Sequence, residues 1–168
     1  HIFGTPSSTN AVYALDVATG NVRWQYPLGA RQVRSTPAVG PDGSIALVTT
    51  GGSAGDLLVR LSSAGALDWT VTIGPAAIPV DVGLSAPAIA ADGTIYAAGD
   101  ALYAVRPNGT VKWTAFEYGA GSTRFDEDLR SSPVIGADGT VIFAAHNIPL
   151  SALDPADGHV LWSLSLGP

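Results

Sequence analysis

The sequence predicts an all-β fold, a β-propeller built of four-stranded antiparallel blades, and three observations carry that prediction. Four tryptophans, Trp24, Trp69, Trp113 and Trp162, fall 45, 44 and 49 residues apart. Four positions before each lies a glycine: Gly20, Gly65, Gly109 and Gly158. Between tryptophans a second signature recurs: Ser35-Thr36-Pro37 with Asp42-Gly43-Ser44-Ile45, Ser85-Ala86-Pro87 with Asp92-Gly93-Thr94-Ile95, and Ser131-Ser132-Pro133 with Asp138-Gly139-Thr140-Val141. A unit of this length cannot bury both faces of its own sheet, so such units must stack on one another.

Each repeat reads as four short strands, A to D. In the last, residues 132–136 alternate apolar and small side chains, and Asp138-Gly139 makes a tight hairpin turn. Residues 140–145 are then β-branched and apolar; residues 150–154 lead to a turn at Ala156-Asp157-Gly158, and residues 159–164 carry Trp162. Applied to the whole chain, the pattern gives strands B, C and D of a first repeat and three complete repeats. That makes 15 strands in one domain, about 3.75 blades, with the innermost strand of the first blade missing. The blades are expected at about residues 1–28, 32–73, 84–116 and 130–167. Each indole should pack on the neighbouring blade, and the small residues Ala14, Ala104 and Ala152, with Val59 in the second repeat, should leave room for it on the adjacent strand.

Composition narrows the function. Of 168 residues 46% are apolar and 13% charged, and 20 glycines and 12 prolines argue against both disorder and long helices. A formal charge of −6 with a single lysine, Lys112, is a poor footprint for nucleic acid or an anionic membrane. The absence of cysteine removes disulfides, thiolate metal sites and cysteine nucleophiles. No run of 18 apolar residues occurs; residues 74–91, the nearest, contain three prolines and Asp81. The chain starts at His1 and contains no methionine, as expected of a processed or trimmed segment or of one lacking its leader.

The segment Ala14-x-Asp16-x-x-Thr19-Gly20-x-x-x-Trp24 resembles the tryptophan-docking motif of pyrroloquinoline-quinone-type repeats. The fourth repeat keeps Ala152, Asp154, Gly158 and Trp162, the third Ala104, Gly109 and Trp113, and the second only Gly65 and Trp69. The family includes quinoprotein dehydrogenases, an outer-membrane β-barrel assembly lipoprotein and exported binding domains. The resemblance therefore implies a propeller in an extracytoplasmic setting (periplasmic, secreted or cell-surface), while function has to be argued from a site.

The dehydrogenases of that family hold their quinone in the central channel beside Ca²⁺ bound by Glu, Asn and Asp oxygens, many with a disulfide between adjacent cysteines. This chain has no cysteine, four asparagines and only two glutamates, Glu117 and Glu127, both in one inter-blade segment. Six or more oxygens converging from several blades cannot be assembled from that set. The reading is a non-enzymatic binding or assembly module without cofactor, metal or catalytic residues, its ligand a protein or small molecule rather than nucleic acid. The alternative is a half or fragment of a quinoprotein-type oxidoreductase whose site is completed elsewhere.

In an up-and-down blade the A–B and C–D turns share one face, and here they are tight. The opposite face carries the long, dissimilar segments 27–33, 74–83 and 117–129 and the Gly51-Gly52-Ser53 loop, and binding residues concentrate on such loops. Its candidates are Arg31, Arg34, Asp81, Tyr118, Arg124, Asp126, Glu127, Asp128, Arg130 and His146. Each also has a plainer reading. Asp126-Glu127-Asp128 is a Ca²⁺-binding or partner-contacting cluster or simply a solvated loop, and Arg34 and Arg130, both just before strand A, bind an anion or pair with loop carboxylates. His159 opens strand D on the tight-turn face, away from His146, and no serine lies in a nucleophile elbow, so a hydrolytic triad is not supported. Three arrangements fit the blade count: a self-closing four-bladed ring, half of a two-chain eight-bladed ring, or a piece of a longer propeller. Low charge favours the last two, because an open stack exposes two sheet faces that need covering.

Overall fold

The strands follow from alternation and from where the turns fall. The computed structural model describes residues 10–33, 35–51, 55–74, 85–116, 131–145 and 148–165. Strands β1 (Ala11–Leu15) and β2 (Val22–Pro27) pair as a two-stranded sheet. The second sheet contains β3 (Gln32–Val33), β4 (Ala38–Val39), β5 (Ile45–Thr50), β6 (Leu57–Leu61) and β7 (Leu67–Thr72). The third holds β8 (Ala88–Ile89), β9 (Ile95–Ala98), β10 (Leu102–Val105) and β11 (Val111–Ala115); the fourth holds β12 (Val134–Ile135), β13 (Val141–Ala145), β14 (Ile148–Leu153) and β15 (Val160–Leu164). Every pairing is antiparallel, and the third and fourth sheets run in chain order, the up-and-down blade of a propeller.

Two expectations need correction. The segment 27–33, read from sequence as loop, contains β3, whose Gln32 and Val33 pair with Thr50 and Thr49. The reason is length: β4 covers only Ile45 and Ala46 of β5, so the far end of β5 takes a second partner. The strand expected ahead of β1 falls outside the described residues. The second correction concerns register. Ala14, Ala104 and Ala152 lie opposite Trp24, Trp113 and Trp162, but Trp69 lies opposite Arg60, and Val59 pairs with Thr70. The turn from β6 to β7, closed by Ser62 N donating to Ala66 O at 2.8 Å, is one residue shorter than that from β1 to β2, closed by Asp16 N to Asn21 O at 2.8 Å. Counting back ten residues from Trp69 therefore lands one position off.

The A–B hairpins show why Asp-Gly recurs. Gly43 N donates to Gly40 O at 3.0 Å, Gly40 N donates to Ser44 O at 2.8 Å, and Gly43 sits at φ 78°. This is a three-residue turn closed by a left-handed glycine, where a side chain would be strained. Asp42 Oδ1 accepts from Ser44 N and Oγ at 3.0 and 2.6 Å, which holds its carboxyl below the ordinary 3.8, and Asp92 and Asp138 repeat the device with Thr94 and Thr140.

The core lies between sheets. Val12 and Leu28 pack on Ile45, Leu47, Val59 and Leu61; Ala46, Val48 and Leu58 pack on Ile95, Ala97 and Val105. Tyr96, Leu102 and Trp113 pack on Val141, Phe143 and Leu153. Burial pushes the Tyr96 hydroxyl up to about 12.

Candidate functional site

Three tryptophans repeat one geometry. Trp24 Nε1 donates to Ser63 O at 3.0 Å, Trp69 Nε1 to Pro107 O at 2.8 Å and Trp113 Nε1 to Pro155 O at 3.1 Å. Each acceptor is the second residue of the C–D turn on the following sheet. The glycine of that same turn faces the ring: a Cβ on Gly109 would lie 2.8 Å from Trp69, one on Gly158 would lie 2.7 Å from Trp113, and one on Gly65 would run into Trp24. The motif's glycine and tryptophan thus belong to different contacts. Each glycine receives the indole of the preceding repeat, and only a residue without a side chain permits that approach. Lys112 Nζ joins the third contact, donating to Pro155 O at 2.8 Å.

Gly20 and Trp162 depart from the pattern. Among the described residues no atom lies within 4 Å of where a Cβ on Gly20 would stand. Trp162 is 49% exposed, whereas Trp113 is 8% exposed. The ion pair of Arg23 with Asp16 at 2.6 Å and the bonds from Thr19 and Ala18 hold the Gly20 turn and lower the Asp16 carboxyl to about 2. Nearer the chain's entry to each blade, the Ser-Pro signature ties sheets together: Ser85 Oγ donates to Ser131 O and Ala86 N to Ser132 Oγ, both at 2.9 Å. The buried Ser35 Oγ finds no partner among the described residues.

Of the loop-face candidates, Arg31 is described. Its Nη1 donates to Gly55 O at 2.8 Å and reaches Thr49 Oγ1 at 3.4 Å, so it ties the segment after β2 to its own blade. Arg34, Asp81, Tyr118, Arg124, Asp126, Glu127, Asp128, Arg130 and His146 lie outside the described residues. Sequence reading missed one charged cluster: Arg60 pairs with Asp42 at 2.6 Å and with Asp68 across the strand. The cluster follows from the register, which sets Arg60 rather than Val59 opposite Trp69. On the turn face Asp157 Oδ1 accepts from His159 N at 3.1 Å and bonds His159 Nδ1 at 2.6 Å; both bonds lower the carboxyl, and the second raises the imidazole above 6.5. Among the described residues no three of His, Asp, Glu or Cys gather as a metal site.

Successive antiparallel sheets, the first three each carrying a tryptophan that reaches the turn of the next, define a β-propeller of tryptophan-bearing repeats. Comparison with known proteins gives the family. A family model described as "Outer membrane protein assembly factor BamB", of the pyrroloquinoline-quinone-like repeat class, matches residues 8–168, and the chain belongs to that family. It is 33% identical over 174 residues to outer membrane protein assembly factor BamB of Yersinia pestis, covering 96% of this chain and 40% of that protein. The protein of the same name from Moranella endobia is 32% identical over 162 residues, covering 93% and 40%. The chain thus spans about two fifths of the length of these relatives. Among solved structures, BamB of Moraxella catarrhalis superposes with a TM-score of 0.68 at 18% identity, over 99% of this chain and 49% of that one. Quinohemoprotein alcohol dehydrogenase of Comamonas testosteroni gives 0.68 at 16% identity, over 95% and 33%. Both likenesses concern the fold.

Proposed function

We propose that this chain is a non-enzymatic propeller module that binds polypeptide during outer-membrane protein assembly, in an extracytoplasmic setting. The observation that carries the reading is the family match across residues 8–168, together with two relatives at 33% and 32% identity that are named assembly factors. The chemistry agrees with it. The long segments 74–83 and 117–129 contain arginine, aspartate, glutamate and tyrosine for contacts to main-chain and side-chain groups of a partner. In this reading the tryptophan contacts are structural joints, and the ligand-facing residues are Arg34, Arg124 and Arg130 with Tyr118 and the 126–128 carboxylates.

The test is binding of a urea-unfolded outer-membrane β-barrel polypeptide, diluted into buffer with the chain and followed by fluorescence anisotropy. Saturable binding that weakens at least about tenfold in the Arg34→Ala, Arg124→Ala, Arg130→Ala triple variant supports the reading. Absence of binding, or binding unchanged in the triple variant, overturns it.

A further inference from the structure

We propose that the joint between the second and third sheets is a hinge, fastened along its outer edge and loose along its inner one, about which the sheets on either side move against one another. The inner edges of this joint and of the next are built from matched residues, 35–39, 85–89 and 131–135, all of them described. Between the third and fourth sheets two bonds cross there: Ser85 Oγ donates to Ser131 O and Ala86 N to Ser132 Oγ, both at 2.9 Å. Between the second and third sheets the serine is kept but the bonds are not. Ser35 Oγ is buried and finds no partner among the described residues, and the position of Ser132 is held by Ala86, which has no hydroxyl to accept from Thr36 N. A buried hydroxyl without a partner costs free energy, so this edge gains from opening to water.

Packing follows the same division. Ala46 and Tyr96 hold one register position, paired to Ala38 and Ala88 of the inner strands. Tyr96 is buried against the fourth sheet, its ring 5.6 Å from that of Trp113, whereas Ala46 offers a single methyl to the third. On the neighbouring strand Ala104 lies opposite Trp113 but Arg60 lies opposite Trp69. The Arg60 guanidinium is held by Asp42 at 2.6 Å and by Asp68, both in its own sheet, whereas Lys112 crosses to Pro155 O at 2.8 Å.

The bonds that do cross from the second sheet to the third start from its outer strand or the residue after it. Trp69 Nε1 donates to Pro107 O and Asp100 N donates to Ile73 O, both at 2.8 Å. A pair of sheets pinned on the outside and unbonded on the inside turns about the outer pins and parts at the channel. The joint between the third and fourth sheets is pinned on both sides and resists the same motion. The inference does not depend on what the propeller binds.

Double electron–electron resonance on the full chain tests it. The chain has no cysteine, so spin labels attach only where cysteine is introduced. Pro41, Ala91 and Ala137 hold the same exposed place in the three A–B turns. The distance distribution between labels at positions 41 and 91 is expected to be at least about twofold wider than that between labels at 91 and 137. Ala86→Ser, which supplies the missing hydroxyl, should narrow the first distribution and leave the second unchanged. Ser132→Ala, which removes the corresponding hydroxyl, should widen the second and leave the first unchanged; circular dichroism checks that both variants fold. Equal widths without either substitution overturn the proposal, as does a first distribution that Ala86→Ser leaves as wide as before.

Discussion

Trp113→Ala removes the best-buried of the three indoles that reach a following sheet. The ring is 8% exposed, lies 5.6 Å from the Tyr96 ring, and belongs to the cluster that joins the third sheet to the fourth. Truncation leaves a cavity bounded by Tyr96, Phe143 and Leu153, whose strands are held by hydrogen bonds and do not collapse freely. Such a change destabilises by about 3–5 kcal/mol. The lost indole bond adds little, because Pro155 O keeps the ammonium of Lys112 at 2.8 Å and is not orphaned. At about 2–4 °C per kcal/mol for a chain of this size, the thermal midpoint should fall by about 6–20 °C. Val111→Ala, on the same strand with a 42% exposed side chain, is the control, with a change of about 1 kcal/mol or less. Calorimetry and urea denaturation at one protein concentration read both. Equal shifts for the two variants would refute the claim that the indole joins the sheets. Separate melting of the fourth sheet in Trp113→Ala would agree with it, since stacked repeats are coupled only through their neighbours.

Three further outcomes follow from the turns. Gly158→Ala should destabilise far more than Gly139→Ala: both glycines are left-handed, at φ 79° and 87°, but a Cβ at 158 meets Trp113 at 2.7 Å whereas one at 139 meets Pro155 at an ordinary 3.9 Å. Gly139→Ala then carries only the conformational strain of about 1–2 kcal/mol, and similar urea midpoints would show that the indole does not press on Gly158. Asp16, Asp42, Asp92 and Asp138 all titrate below 3.8 when folded, so the unfolded chain binds more protons in acid. Their stabilisation is present above the ordinary carboxylate range and is lost as pH falls through the lowered values; a urea midpoint that increases as the solution is acidified through that range contradicts the assignment. Finally, Asp157→Asn should return His159 from its raised value towards the ordinary 6.5, read as a downward shift of its imidazole titration by NMR, and no shift would mean that Asp157 is not its partner.

Much of the fold was legible because its signals are single residue types at fixed places. The tryptophan period and the Asp-Gly turns need no knowledge of the rest of the chain, and the latter are local hydrogen-bond devices of five residues. The β3 strand was invisible because two residues paired to the end of a longer strand have no periodicity of their own. Arg60 was misplaced because the β6–β7 turn is one residue shorter than the β1–β2 turn, and strand register is fixed by turn length rather than by counting. The loop-face residues were chosen by chemistry and by variable loop length. Arg31 shows the limit of that choice, since its guanidinium is spent on Gly55 and Thr49 of its own blade.

The nonlocal partnership of glycine and tryptophan also explains why a few residues can build so regular a stack. Within one repeat the two are four positions apart and serve different sheets: the glycine receives, the tryptophan donates. No repeat can satisfy both on its own, so each addition to the stack fills one site and opens another. The apolar surface follows the same rule, since the clusters lie between sheets rather than within them. A stack of this kind always ends in one bare glycine turn and one uncovered indole unless its ends meet.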